Sequence, residues 1–285
     1  MRFGAHVSSS GKIFNAADRA VETGCDCLQL FVSSPQTWRP ARHQPADVET
    51  FEQRCREHDL APAVCHAVYL INLASTDERI WRSSIESLRT ARRVSEQLRL
   101  SAVITHLGSH RGTSFQEALP RIVAGLEAVL GEDAAPWLLM ENCAGAGSVV
   151  GRSVEELRGI ADALGWPGKL GLCVDTCHAF AAGYDVADRD GLQRFVDEID
   201  TGFGLDRLRV IHANDSRGAR GSNLDRHAHI GQGAIGLDGF RVIVNHPAFA
   251  DLPFIIETPE LDGQPGTKLE ADRLNLAALR SLVER

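Results

Sequence analysis

Short apolar runs rich in Val, Ile, Leu and Cys recur along the whole chain, at 2–6, 27–32, 62–66, 102–106, 137–141, 170–175, 208–212 and 253–257. Between them lie segments whose apolar positions repeat every three to four residues, the period of a helix with one buried face: Ile13–Thr23, Val48–His58, Ile80–Leu98, Phe115–Leu130, Val154–Leu164 and Leu192–Ile199. Ser114-x-x-Glu117 and Ser153-x-x-Glu156 read as capping boxes, and Gly24, Gly131 and Gly165 stand where C-terminal glycine stops are expected. The strand-like runs are continuous rather than alternating, so they are buried on both faces, which is the pattern of parallel strands covered by helices. Eight strand-plus-helix units with no intervening linker predict a TIM (β/α)8 barrel, α/β in class, as a single domain over residues 1–285. A doubly wound open sheet is the alternative. It would place a Gly-rich phosphate loop after the first strand, where Ala5-His6-Val7-Ser8 stands instead.

Composition supports a folded chain and narrows its setting. Of 285 residues, 44% are hydrophobic and 24% charged, close to globular averages, which excludes disordered and fibrous classes. No apolar run approaches the roughly 20 residues of a membrane helix, and Met1-Arg2-Phe3-Gly4-Ala5-His6 lacks the charged-then-apolar order of a signal peptide. A cytoplasmic protein with no membrane partner is expected. The seven cysteines are odd in number and scattered, and neither Cys25-x-Cys27 nor the Cys173/Cys177 pair has the C-x-x-C spacing of a zinc ribbon. They read as reduced core residues.

The chemistry begins at the ends of the runs. The six runs from the third onward finish on a metal-ligand residue type: His66, His106, Glu141, Asp175, His212 and Glu257. In a parallel barrel all strands point one way, so these side chains converge on the C-terminal mouth, where barrel enzymes keep their active sites. A single His in that place is ordinarily a hydrogen-bonded structural residue. Six ligand types at one level of successive units are not six accidents. Asp175-Thr176-Cys177-His178 adds an imidazole three residues beyond a carboxylate, and Asp225-Arg226-His227 puts two ligand types at i and i+2, on one side of an extended segment. The set comprises five His, two Asp and two Glu. Imidazole with carboxylate and no thiolate suits Zn²⁺, with Mn²⁺ or Fe²⁺ as substitutes, and nine ligands exceed the need of one ion. Clustered divalent ions serve above all the in-line displacement at phosphorus, so phosphodiester hydrolysis is the leading reaction class.

These residues resemble the endonuclease IV family of abasic-site endonucleases, nearly end to end. The resemblance rests on Gly4-Ala5-His6-Val7-Ser8, Tyr69-Leu70-Ile71-Asn72, Gly108-Ser109-His110 and Glu141-Asn142 with Ala144-Gly145. More specific are the run from Val174 to Asp185 and Asp225-Arg226-His227 leading into His229-Ile230-Gly231. It implies three zinc ions: His66 and His106 hold one, Glu141 bridges it to a second completed by Asp175, His212 and Glu257, and His178, Asp225 and His227 hold the third. It also implies hydrolysis of the phosphodiester 5′ to an abasic site, leaving a 3′-hydroxyl and a 5′-deoxyribose phosphate, and clearing of blocked 3′ ends. No side chain acts as nucleophile, and Glu141 is the residue expected to matter most for catalysis. The implied partner is double-stranded DNA with abasic sites or blocked 3′ ends, without an obligate protein partner. Contacts would come from loops at 33–45, 69–72, 109–113 and 216–226, with Gln36, Tyr69 and Arg226 as DNA-binding residues.

The chain departs from the family pattern at three positions: Gln36 where Arg is common, Leu107 where Pro is common, and Gln232 where Glu is common. A formal charge of −8 argues against a polyanionic partner, but three divalent ions bring it to about −2 and concentrate positive charge in one cleft. Basic residues are 27 Arg against three Lys, and Arg suits bidentate phosphate contacts. Two rival readings stay open. A sugar isomerase or epimerase also carries His, Asp and Glu at barrel strand ends, and a non-catalytic binder of damaged DNA would use the same loops.

Overall fold

The computed structural model describes residues 1–131, 136–262 and 264–284. Its strands are β1 (Arg2–His6), β2 (Cys27–Leu30), β3 (Ala63–His66), β4 (Ala102–Thr105), β5 (Trp137–Glu141), β6 (Leu170–Asp175), β7 (Leu208–His212), β8 (Asp215–Ser216), β9 (His227–Ala228) and β10 (Pro253–Ile256). Helices α1 (Asn15–Thr23), α2 (Pro45–Glu57), α3 (Glu78–Gln97), α4 (Phe115–Leu130) and α5 (Val154–Ala163) follow the first five barrel strands. Then come α6 (Thr176–Ala182), α7 (Arg189–Phe203), α8 (Gly236–Val244) and α9 (Lys268–Ser281). The barrel order is β1-β10-β7-β6-β5-β4-β3-β2, and β1 closes it by pairing in parallel with both β10 and β2. The chain is therefore an α/β TIM barrel, and β8–β9 is a separate antiparallel hairpin above it. Among the described residues no helix is long and apolar enough to cross a membrane.

Local signals act largely as the sequence predicts, with two differences. Ser114 and Glu117 form the full reciprocal capping box. At α5 only half of it exists: Ser153 accepts from Glu156 N, but the Glu156 carboxylate reaches back to the N–H groups of Gly151 and Arg152. Gly24 and Gly165 adopt positive φ at helix ends, whereas Gly131 ends α4 at φ −61° and needs no glycine conformation. The apolar periodicity does not reveal α6, which leaves β6 without a loop because the Asp175 side chain caps its first turn by accepting from His178 N.

The two faces of the strands have separate jobs. Outward residues pack with the helices in a large buried apolar cluster. Inward residues Cys27, Val64, Ile104, Leu139, Cys173, Val210 and Ile255, joined by Ala102, form a second cluster that fills the barrel. Gly4 lies beside it, where an added Cβ would meet the Cys27 carbonyl oxygen at 1.9 Å, so only glycine lets β1 and β2 approach this closely. Because side chains alternate along a strand, the next inward layer lies two residues further on: His6, Gln29, His66, His106, Glu141, Asp175, His212 and Glu257. The interior thus changes from apolar to wholly polar in one step.

The loop region 215–236, which carries Asp225 and His227, hangs on one buried carboxylate. Asp215 is fully buried; its Oδ1 accepts from Ser216 N and Ile235 N at 2.8 and 3.0 Å, and its Oδ2 accepts from Gly231 N and Gly233 N at 2.9 Å each. Asp215→Ala strands these donors, and buried unsatisfied groups cost about 1–3 kcal/mol each. Denaturant unfolding is expected to show a loss of about 3 kcal/mol or more for Asp215→Ala and a smaller loss for Asp215→Asn, which keeps one acceptor oxygen. Equal stability of both variants and the wild type, within about 0.5 kcal/mol, would contradict the anchoring role.

Candidate metal centre

The polar layer brings the predicted ligand residues together. Glu141, with no exposed surface, ends β5 between His66 of β3 and His106 just after β4 on one side and His212 of β7 on the other. Its Oε2 lies 3.2 Å from His66 Nε2 and 3.5 Å from His106 Nε2, while its Oε1 lies 3.0 Å from His212 Nδ1. His212 Nδ1 is also 3.5 Å from Glu257 Oε2. The hairpin and α6 complete a further group: His178 Nε2 is 3.2 Å from Asp225 Oδ1, and His227 Nε2 is 3.7 Å from the same oxygen and 3.6 Å from Asp175 Oδ2. Potential ligand atoms fall within 4.8 Å of one another in three sets matching the expected ones: His66–His106–Glu141, Glu141–Asp175–His212–Glu257 and His178–Asp225–His227. A fourth grouping, Asp175–Cys177–His227, overlaps the third. Sequence spacing does not single out Cys177, whose thiol burial pushes up to about 12.

The donor chemistry of these sets fits divalent cations. His66 Nδ1 and His178 Nδ1 lie 2.7 and 3.0 Å from the carbonyl oxygens of Ala67 and Asn142, and His227 Nδ1 lies 3.0 Å from that of Glu257. Each such pairing makes the outer nitrogen the N–H donor and turns a lone pair on the inner nitrogen toward carboxylate oxygens, which also only accept. Lone pair against lone pair at these distances requires a proton or a metal between them. The edge of a tetrahedron around an ion with bonds of about 2.1 Å is about 3.4 Å, close to the separations above. His227 Nε2 is buried and has no hydrogen-bond partner among the described residues, an orphan that a metal would satisfy.

Within the cluster the buried carboxylates and imidazoles shift one another. Burial pushes the Glu141 carboxyl up, but the imidazoles of His106 and His212 outweigh it and hold it well below the usual range. For Glu257 burial is likewise overcome, first by His212 and then by the nearby His6. Burial lowers His178, but the Asp175 charge and the Asp225 hydrogen bond raise it well above its ordinary value. His212 behaves the same way, with Cys173, Glu257 and Glu141 opposing burial. His106 goes the other way, because burial dominates.

Several residues of the site are not singled out by sequence reasoning. Gln29 is fully buried, donating to Glu257 Oε1 at 2.6 Å and accepting from His212 Nε2 at 2.7 Å. Asn214 donates to Asp175 Oδ2 at 2.7 Å and accepts from Glu257 N. His6 Nδ1 lies 3.4 Å from Glu257 Oε1. A signal for His6 and Gln29 exists, since both lie two residues beyond the inward apolar layer of their strands. Beside the cluster opens a cleft of about 510 Å³ lined by Tyr69, Leu70, Ile80, His106, Arg111 and Asp225 among others. Tyr69 is 65% exposed, its ring edge-on to Phe31 at 5.3 Å. Gln36 and Arg226 are exposed on flanking loops and do not line this cleft. Of the departures, Leu107 is fully buried and Gln232 is exposed.

A closed parallel barrel with acidic and imidazole side chains at its C-terminal mouth defines a class, and the family described as Xylose isomerase-like TIM barrel matches residues 17–280. Within that class the relatives are specific. The probable endonuclease 4 of Halothermothrix orenii is 41% identical over 93% of this chain and 95% of its own length, and that of Geobacter sp. (strain M21) is 39% identical over 99% and 98%. The crystal structure of endonuclease IV from Thermus thermophilus superimposes with a TM-score of 0.86 at 37% identity, covering 99% of this chain and 98% of that one. The chain belongs to the endonuclease IV family and is a nuclease of the hydrolase class. A D-tagatose 3-epimerase-like protein, with a TM-score of 0.74 at 20% identity, shares the fold alone.

The raised His178 and His212 values carry a consequence. Groups whose pKa stands well above the ordinary 6.5 hold protons at neutral pH in the metal-free protein, and a metal must displace them. Zinc titration calorimetry of metal-free protein at about pH 7 is expected to show proton release, as heats that vary with the buffer's ionisation enthalpy, and affinity that rises with pH. Buffer-independent heats would contradict this protonation pattern.

Proposed function

We propose that the protein is a zinc-dependent endonuclease that hydrolyses DNA 5′ to abasic sites, leaving a 3′-hydroxyl and a 5′-deoxyribose phosphate, and that it clears blocked 3′ ends. The observation that carries this reading is the placement of Glu141, whose two oxygens face different histidines and so can join two ions. His66 and His106 with Glu141 would hold one ion, Asp175, His212 and Glu257 with Glu141 a second, and His178, Asp225 and His227 a third; Mn²⁺ or Fe²⁺ would fit the same donors. When bound, zinc supplies Lewis acidity toward a phosphoryl group and a strongly acidified water.

The chain's own residues do the rest. Glu141, Asp175, Asp225 and Glu257 supply the negative charge that retains divalent ions, and Gln29 and Asn214 fix the orientation of Glu257 and Asp175. With these side chains committed to ligation, none serves as nucleophile. Tyr69 and Leu70 present exposed apolar surface beside the cluster, suited to filling the gap in a base stack. An abasic nucleotide has no base pair to break, so it is the cheapest to turn out of the duplex toward the cleft. Arg226 and Gln36 would contact the flanking strand, and neutral Gln36 offers a weaker phosphate contact than Arg would. A DNA-cutting role of this kind places the protein in the cytoplasm, where its duplex substrate would be met.

A labelled duplex with one abasic analogue tests the reading. Zinc-loaded protein is expected to cut it 5′ to the lesion, leave undamaged duplex intact and lose activity with a chelator. Glu141→Gln keeps the side chain's shape but loses the second anionic oxygen, and its cleavage rate is expected to fall by more than about 100-fold, roughly 2.7 kcal/mol in barrier. Equal cutting of both duplexes would overturn the substrate assignment, and Glu141→Gln within about tenfold of wild type would overturn the bridging role.

A further inference from the structure

The five histidines of the cluster differ in what holds the ring nitrogen turned away from the candidate ligand atoms of its own set. Four are held by oxygen: His66 by the Ala67 carbonyl at 2.7 Å, His178 by the Asn142 carbonyl at 3.0 Å, His227 by the Glu257 carbonyl at 3.0 Å and His212 by the Gln29 carboxamide at 2.7 Å. For His106 the partner is sulfur, with Nδ1 lying 3.4 Å from Cys143 Sγ. His106 is also the most open of the five: its side chain is 31% exposed, against 3% for His66, 4% for His178, none for His212 and 16% for His227. Cys143 and His106 line the same cleft.

A thiol sulfur is a weak acceptor. An imidazole whose N–H points at it is oriented less firmly, and is a less basic donor on its other nitrogen, than one bound to a carbonyl. At the opposite end of the cluster Gln29 clamps His212 and Glu257 together while wholly buried. We propose that Cys143 is a positioning residue for His106, and that its weak hold makes the His66–His106–Glu141 set the labile one, through which the cluster first loses and regains metal. This rests on the metal-centre reading above. Scarcity of free zinc would therefore remove one ion before the rest and stop cleavage while the fold and the remaining sites persist.

The test uses the full zinc-loaded chain challenged with a chromophoric chelator, with ion release followed optically and folding checked by circular dichroism. Wild-type protein is expected to release one ion in a fast phase, well separated from the others. Cys143→Ser, which offers an oxygen acceptor, is expected to slow that phase by about tenfold, the lower end of the usual effect of such outer partners on metal affinity. Cys143→Ala is expected to speed it severalfold, and Gln29→Ala to speed only the slow release. Slowing in Cys143→Ser is decisive because structural damage cannot tighten a site. A fast phase unchanged within about twofold in both Cys143 variants, or one that responds to Gln29→Ala instead, overturns the proposal. Wild-type protein that retains no zinc through gel filtration overturns the metal-centre reading itself, a result distinguishable from either.

Discussion

At the top of β5 a carboxylate with no exposed surface sits among imidazoles, and most of the site follows from that burial. Taking an anion out of water costs several kcal/mol unless opposite charge is held against it in good geometry. Here the compensation comes from four histidines: His66, His106, His178 and His212 each place a ring nitrogen within 3.5 Å of a Glu141 oxygen. No single loop can supply such a ring. It takes several parallel strands ending at one level, which is what a closed barrel provides. The apolar layer directly beneath, from Cys27 to Ile255, removes the water that would otherwise screen the cluster.

The same alternation explains what is legible in the sequence. The eight apolar runs and the ligand types at their ends can be read directly, because buried parallel strands need no polar face and the barrel makes strand ends equivalent. His178 is reachable because it follows Asp175 closely, and Asp225 and His227 because they share a short extended segment. Gln29 does not read as part of the site because glutamine is not a metal ligand, and its value lies in linking His212 to Glu257 across two strands far apart in sequence. His6 ends the first run as plainly as His66 ends the third, but only the three-dimensional layer shows that it faces Glu257. Asp215 carries no sequence mark either, since its partners are backbone N–H groups of a loop extending as far as Ile235. Half of the α5 capping box fails for a related reason: the Glu156 carboxylate finds donors upstream of the serine.

The barrel alone does not distinguish nucleases from sugar enzymes, because a D-tagatose 3-epimerase-like protein of 20% identity shares this fold. Further groups are added above the barrel in this chain. The β8–β9 hairpin brings Asp225 and His227 against His178, and the loop after β3 exposes Tyr69 and Leu70 beside the cluster. The loop carrying Asp225 is fixed by Gly221 N and Asn223 N donating to the carbonyls of Phe180 and Ala181 at the end of α6, so α6 positions the candidate ligand His178 and braces the segment that brings Asp225 and His227. Stability and site geometry are coupled there, since loosening the hairpin would move Asp225 and His227 away from His178 without disturbing the barrel.

Under the proposed reading one buried carboxylate joins two metal positions and the hairpin completes a third. Anomalous diffraction at the zinc edge from crystals of the protein as purified addresses it directly. Three peaks are expected, two flanking Glu141 and one among His178, Asp225 and His227. A single peak, or none near Glu141, in protein that still cleaves abasic DNA would contradict it.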